Sequence, residues 1–92
     1  MSRFKNEATD ALFKHMMTLE TIDDYYAFFE DIATIQELKE FSLRFNIAKM
    51  LYEGRTYQAI EKETGASATT ISRVSKCLHY GAGGYDKVFN RK

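Results

Sequence analysis

No proline interrupts the 92 residues, and the five glycines fall at only three places: Gly54, Gly65 and the cluster Gly81, Gly83 and Gly84. Proline is the strongest helix breaker and glycine a common helix stop, so the chain offers long windows in which helices can form and few points where they must end. Within those windows apolar residues recur at intervals of three and four rather than alternating, which predicts an all-α chain. Residues 1–92 read as a single helical domain, small enough that a core built from one copy would be marginal.

A first helix is expected from Glu7 to Leu19, with Ala8, Leu12, Met16 and Leu19 on one side. Thr21, followed three residues later by Asp24, marks a capped start for a second helix over Ile22 to Ile32, which carries Tyr25, Tyr26, Phe28, Phe29 and Ile32. Thr34-Ile35-Gln36-Glu37 has the form of a capping box and opens a long helix to Glu53, closed by Gly54. One apolar stripe of that helix runs Leu38, Phe41, Phe45, Ala48, Leu51, and a second runs Leu43, Ile47, Met50. Two adjacent apolar faces let it bury one inside its own chain and one against a second copy, although a monomer with a deeply buried central helix satisfies the same pattern.

The formal charge is zero, but it is unevenly spread: residues 1–40 carry four Lys/Arg against nine Asp/Glu, and residues 41–92 carry nine against four. A polyanion would be repelled by the first part and attracted by the second, so a surface for nucleic acid belongs in the C-terminal half. Cys77 is the only cysteine, which rules out an internal disulfide and points to a packing role in its helix. His15 and His79 fit no metal-ligand spacing, Asp23-Asp24 sits at a helix start where carboxylates are favoured, and Gly81-Ala82-Gly83-Gly84 lacks the lysine of a phosphate loop. No catalytic constellation and no metal site is expected, and the chain reads as a non-enzyme. No apolar run approaches the roughly 18 residues that span a bilayer, and the start Met1-Ser2-Arg3-Phe4-Lys5-Asn6 is not followed by a signal-type stretch, so no membrane partner is expected and the cytoplasm is the expected location.

The segment that carries chemistry is Thr56 to Leu78. Thr56 can cap one short helix, Gly65 permits a sharp turn, and Ser67 can cap a second helix over Ala68 to Tyr80, with Ile60, Ala66, Ile71 and Val74 facing inward. This is the pattern of a helix-turn-helix, although an αα-hairpin used only for packing shares the glycine turn. Small groups at the start of the second helix, Ser67, Ala68, Thr69 and Ser72, allow close approach to base edges and offer hydrogen bonds or contact with a thymine methyl. The capped N-terminus presents amide hydrogens to phosphate, and Arg73 and Lys76 follow along the helix. Arg55 and Lys62 could reach the phosphate backbone from the preceding helix, while Tyr57 and Tyr80 flank the motif and are expected to pack their rings and wet their hydroxyls.

Gly65-Ala66-Ser67-Ala68-Thr69-Thr70-Ile71-Ser72-Arg73-Val74-Ser75-Lys76-Cys77-Leu78 resembles the helix-turn-helix of the tryptophan repressor superfamily, and the similarity extends back through Leu43-Arg44-Phe45-Asn46-Ile47 to Thr34. Within that superfamily the chain looks like the YerC/YecD group of repressor-like proteins, which share its size and its glycine-rich tail, here residues 81–92. The resemblance implies an intertwined all-helical homodimer in which Gln58, Ser67, Ala68, Thr69 and Ser72 face the operator. It also places Arg44 and Arg73 where the family's arginines hold the indole and carboxylate of tryptophan, with Thr34 and Thr70 beside the same effector pocket. Val74 stands where the family has glycine, so a branched side chain occupies the room beside the indole and tryptophan is not the expected effector. Thr64 stands where leucine is usual and is expected to weaken the motif's packing slightly.

The sequence therefore predicts a sequence-specific DNA-binding transcriptional regulator of the repressor type. Its expected partners are duplex DNA and a second copy of itself. No cofactor is expected, and an unidentified small-molecule effector stays open. The alternative is a structural or protein-interaction module that has kept the helical fold and lost operator binding.

Overall fold

The computed structural model describes residues 2–90, and all regular structure among them is helical: α1 (Glu7–Met16), α2 (Ile22–Ile32), α3 (Ile35–Tyr52), α4 (Tyr57–Thr64), α5 (Ala68–Tyr80) and α6 (Gly84–Asn90). The all-α expectation is met, and no helix among the described residues is long and apolar enough to cross a membrane. The chain divides into two units, Met1–Leu38 and Lys39–Lys92. Of the tail expected over 81–92, residues 91 and 92 lie outside the described residues, as does residue 1.

In the first unit the helices begin where short polar side chains satisfy free amides. Asn6 accepts from the Thr9 N–H at 2.8 Å to start α1, and Thr21 accepts from the Asp24 N–H at 3.1 Å to start α2. Asp24 answers by accepting from the backbone of Glu20 and Thr21, which holds its carboxyl below the ordinary carboxylate value. The capping box at Thr34 forms as expected: its N–H donates to Glu37 at 2.8 Å, and its hydroxyl accepts the Glu37 N–H at 3.1 Å. Helix α1 ends three residues short of the expected Leu19. The Thr18 hydroxyl and N–H both take the His15 carbonyl, at 2.7 and 3.0 Å, and Leu19 bonds back to Met16, so the chain tightens into a turn that cannot continue the α-helix. Neither α1 nor α2 has a fully buried residue.

The second unit holds the core. Ile47, Ala48 and Met50 of α3, Ile60 of α4, and Ile71 and Val74 of α5 form one buried cluster, flanked by Leu43, Leu51, Ala66, Tyr85 and Phe89. Burying a side chain of this kind stabilises a fold by about 1.5–3 kcal/mol. Helix α3 closes at Tyr52, with Gly54 at φ 84° bonding to Leu51 and the Arg55 N–H reaching the Met50 carbonyl at 3.0 Å, the paired bonds of a Schellman stop. At the other end of the unit, α6 lays Phe89 against α3: its ring centre is 5.3 Å from that of Phe45 and 5.0 Å from that of Tyr52, with Tyr85 stacked at 6.0 Å. The Tyr52 hydroxyl donates to Asn90, which fastens the last turn of α6 to the end of α3.

Candidate nucleic-acid interface

Helices α4 and α5 form the expected helix-turn-helix. The Thr56 hydroxyl accepts the Ala59 N–H at 3.1 Å, and Gly65 adopts φ 74°, a left-handed conformation that glycine enters without strain. The Ser67 hydroxyl then accepts the Thr70 N–H at 3.2 Å to start α5. Ile60 and Ile71 are fully buried and Val74 nearly so, while Ala66 packs beside them, as their spacing predicts. Thr64, expected to weaken the apolar packing of the motif slightly, makes polar contacts instead. Its hydroxyl donates to the Ile60 carbonyl at 2.7 Å and accepts from the Ala66 N–H at 3.1 Å, so a polar side chain stitches the turn that an apolar one would only cover.

Every residue expected to face DNA is exposed: Gln58, Ser67, Ala68, Thr69, Ser72, Arg73 and Lys76. Thr69, Ser72, Arg73 and Lys76 are spaced at i, i+3, i+4 and i+7, one continuous stripe on α5, and the buried Ile71 and Val74 interleave on the other face. No acidic residue occurs in α5, so the stripe has uncompensated positive charge. Ser67 is constrained within the site because its hydroxyl also donates to Thr70 Oγ1 at 3.1 Å. Arg55 is likewise engaged, with its guanidinium 2.8 Å from Glu63 on the far end of α4, a pairing that sequence reasoning misses because the two lie eight residues apart.

Two flanking side chains differ from expectation. Tyr80 is 85% exposed, so its ring is open rather than packed, and Cys77, read as a packing residue, is exposed on α5. Burial pushes the Tyr85 hydroxyl above its ordinary pKa, the Cys77 thiol adds to that rise, and the Arg44 charge opposes both.

The residues implicated in an effector pocket fall in both units. Thr34 belongs to the first unit and is committed to its cap. In the second unit Arg44 is exposed, 3.8 Å from Glu40 and over the Phe41 ring on its own helix. Thr70 accepts from Ser67, Arg73 is exposed, and Val74, 5% exposed, is part of the core.

The sequence model of the Trp repressor protein family matches residues 7–92. This chain belongs to the Trp repressor family. It is 41% identical over 91 residues to YerC, an uncharacterized protein of Bacillus subtilis (strain 168), covering 99% of this chain and 88% of that one. Among solved structures, a TrpR-like protein from Eubacterium eligens superposes with a TM-score of 0.91 at 49% identity, covering 97% of this chain and 92% of the other. A provisionally assigned Trp repressor from Staphylococcus aureus gives 0.90 at 40% identity, covering 97% and 89%. The Trp repressor family is one of repressor-like regulators and not a family of enzymes. Both the all-α fold and the resemblance read from Gly65 to Leu78 are thereby borne out.

Proposed function

We propose that this protein is a homodimeric, sequence-specific DNA-binding repressor whose α5 reads the major groove. The carrying observation is the division of α5 into two faces. Ile71 and Val74 anchor it in the core, while Thr69, Ser72, Arg73 and Lys76 form an exposed stripe without a single acid. Ser67 and Ala68 extend that stripe at the capped end, and Gln58 adds a polar group from the first turn of α4. Arg73 and Lys76 supply phosphate contacts, and the small groups permit close approach to base edges. Membership of the Trp repressor family supports the same reading, with action in the cytoplasm.

The dimer reading is supported by the first unit. A segment of this size has no buried side chain in α1 or α2, yet Met17 is 82% and Ile35 77% exposed, with Phe13, Ile22 and Tyr26 also open. Apolar area of that extent calls for a covering partner. A second copy serves best, because two linked readers engage two half-sites together.

L-tryptophan is not the effector in this reading. Val74 carries a branched side chain into the core at the position where the resemblance implies an empty space beside an indole. Arg44 and Arg73 remain available to an anionic group, so another effector stays compatible with the site.

Titration of a fluorescent mixed-sequence duplex at several salt concentrations tests the reading. A steep fall of affinity with salt is expected from phosphate contacts. Undetectable binding at low salt would overturn it and favour an interaction module, to which the acidic balance of residues 1–40 is suited.

A further inference from the structure

We propose that Thr64 is a positioning residue for DNA recognition: its hydroxyl brackets the turn between α4 and α5 and thereby sets where the first turn of the reader stands. This rests on the reading of α5 as the helix that contacts DNA. The Thr64 hydroxyl donates to the Ile60 carbonyl at 2.7 Å and accepts the Ala66 N–H at 3.1 Å. One oxygen atom thus joins a residue rooted in the core, Ile60, to the residue immediately before the α5 cap, Ser67.

The Ala66 amide needs that partner. Gly65, in its left-handed conformation, donates its own N–H to the Glu61 carbonyl, which leaves Ala66 as the first amide beyond the helical ladder. Ala66 is half-buried and packed on the apolar cluster, so an unpartnered amide there carries a desolvation penalty. An apolar side chain at position 64 can fill the space but makes neither bond.

The bracket runs directly into the cap. Ala66 is bonded to Ser67, whose hydroxyl holds both the N–H and the Oγ1 of Thr70. Hydrogen bonds at Thr64 and at Ser67, joined by the Ala66–Ser67 peptide bond, therefore connect the buried Ile60 to the first turn of α5, which carries Ala68 and Thr69 and leads into Ser72. Recognition groups must be held to within about 0.5 Å by the side chains behind them, and a turn released at Ala66 loses that support.

The test compares Thr64→Val, which keeps the shape and removes both hydroxyl bonds, with Thr64→Ser, which keeps the hydroxyl. Full-length protein is used at a temperature where melting curves show each variant folded. Two quantities are read: amide exchange at Ala66, and affinity for a duplex selected by the unaltered protein from a random-sequence pool. Thr64→Val is expected to speed Ala66 exchange about tenfold and to weaken the selected duplex about tenfold, while an unselected duplex binds as before. Thr64→Ser is expected to restore both. A Val variant that only melts earlier, with exchange and selected-duplex affinity unchanged, would overturn the proposal, and so would equal losses on both duplexes. Failure to select any duplex would overturn the reading of α5 itself, and since Ala66 exchange involves no DNA, the two failures are distinguishable.

Discussion

Ser67 and Thr70 exchange two hydrogen bonds, one from the Thr70 amide to the Ser67 hydroxyl at 3.2 Å and one from that hydroxyl to Thr70 Oγ1 at 3.1 Å. The cap is thus a structural group that the proposed reading also sets against DNA, and substitutions can separate the roles. Ser67→Ala is expected to lower stability by about 1 kcal/mol through loss of the cap. Ser67→Asp keeps a good cap acceptor but sets a negative charge at the reader's N-terminus, so melting should change little while duplex binding falls. Thermal melts and duplex titrations on both variants check this, and an Asp variant that binds DNA normally would remove Ser67 from the interface.

Arg73 and Lys76 lie exposed on the α5 stripe, and neither buries apolar area in the core. Replacing either with alanine is expected to leave helicity and the mass in solution intact and to weaken all duplexes to a similar degree. The slope of log affinity against log salt should fall by about one for each phosphate no longer neutralised. Unchanged slopes in both variants would place the DNA elsewhere.

Two capping boxes tie the first unit to pH. The backbone amides of Glu20 and Thr21 hold the Asp24 carboxyl below its ordinary value of 3.8, and that of Thr34 holds Glu37 below 4.5. A lowered folded-state pKa gives stability that is complete above the ordinary value and lost as pH falls through the folded one. Circular dichroism from pH 6 down to about pH 2 should therefore show helix loss beginning below about pH 4, and Asp24→Asn with Glu37→Gln should flatten that acid limb. An identical limb in the double variant would deny these caps any part in it.

Val74 gives the effector prediction its test. Val74→Gly removes a buried side chain and adds a helix glycine, and is expected to cost about 3 kcal/mol of stability. Isothermal titration with L-tryptophan should show no micromolar binding to the unaltered protein. Heat that appears only in the glycine variant would identify steric exclusion as the cause, and micromolar binding to the unaltered chain would reverse the prediction.

Legibility of the sequence follows the range of the interactions. Thr21, Thr34, Thr56 and Ser67 act within three residues of themselves, so the starts of α2 to α5 can be read directly. The end of α1 is harder because apolar spacing continues to Leu19, whereas the backbone is diverted by the Thr18 hydroxyl, a competition that periodicity does not register. Thr64 is undervalued for a related reason: judged as an apolar position it is deficient, yet it works through hydrogen bonds to the backbone. Exposure of the α5 stripe is legible from its spacing, but the docking of Phe89 on Phe45 is not, since nothing local in Tyr85, Val88 and Phe89 names a surface more than forty residues earlier.

That docking bears on how the family can diversify. The Tyr52–Asn90 bond and the packing of Phe89 draw together two points 38 residues apart, and the whole helix-turn-helix lies in the loop between them. Closing a loop of this length costs only a little more entropy than closing a shorter one, so the clasp tolerates change in what it encloses. Inside the loop, Ile60, Ile71 and Val74 answer to the core, while Thr69, Ser72, Arg73 and Lys76 are exposed and their side chains take part in no hydrogen bond or ion pair among the described residues. If α5 is the reader we propose, the exposed stripe can therefore be rewritten for a new duplex while the fold stays as it is, which would make the motif an exchangeable cassette.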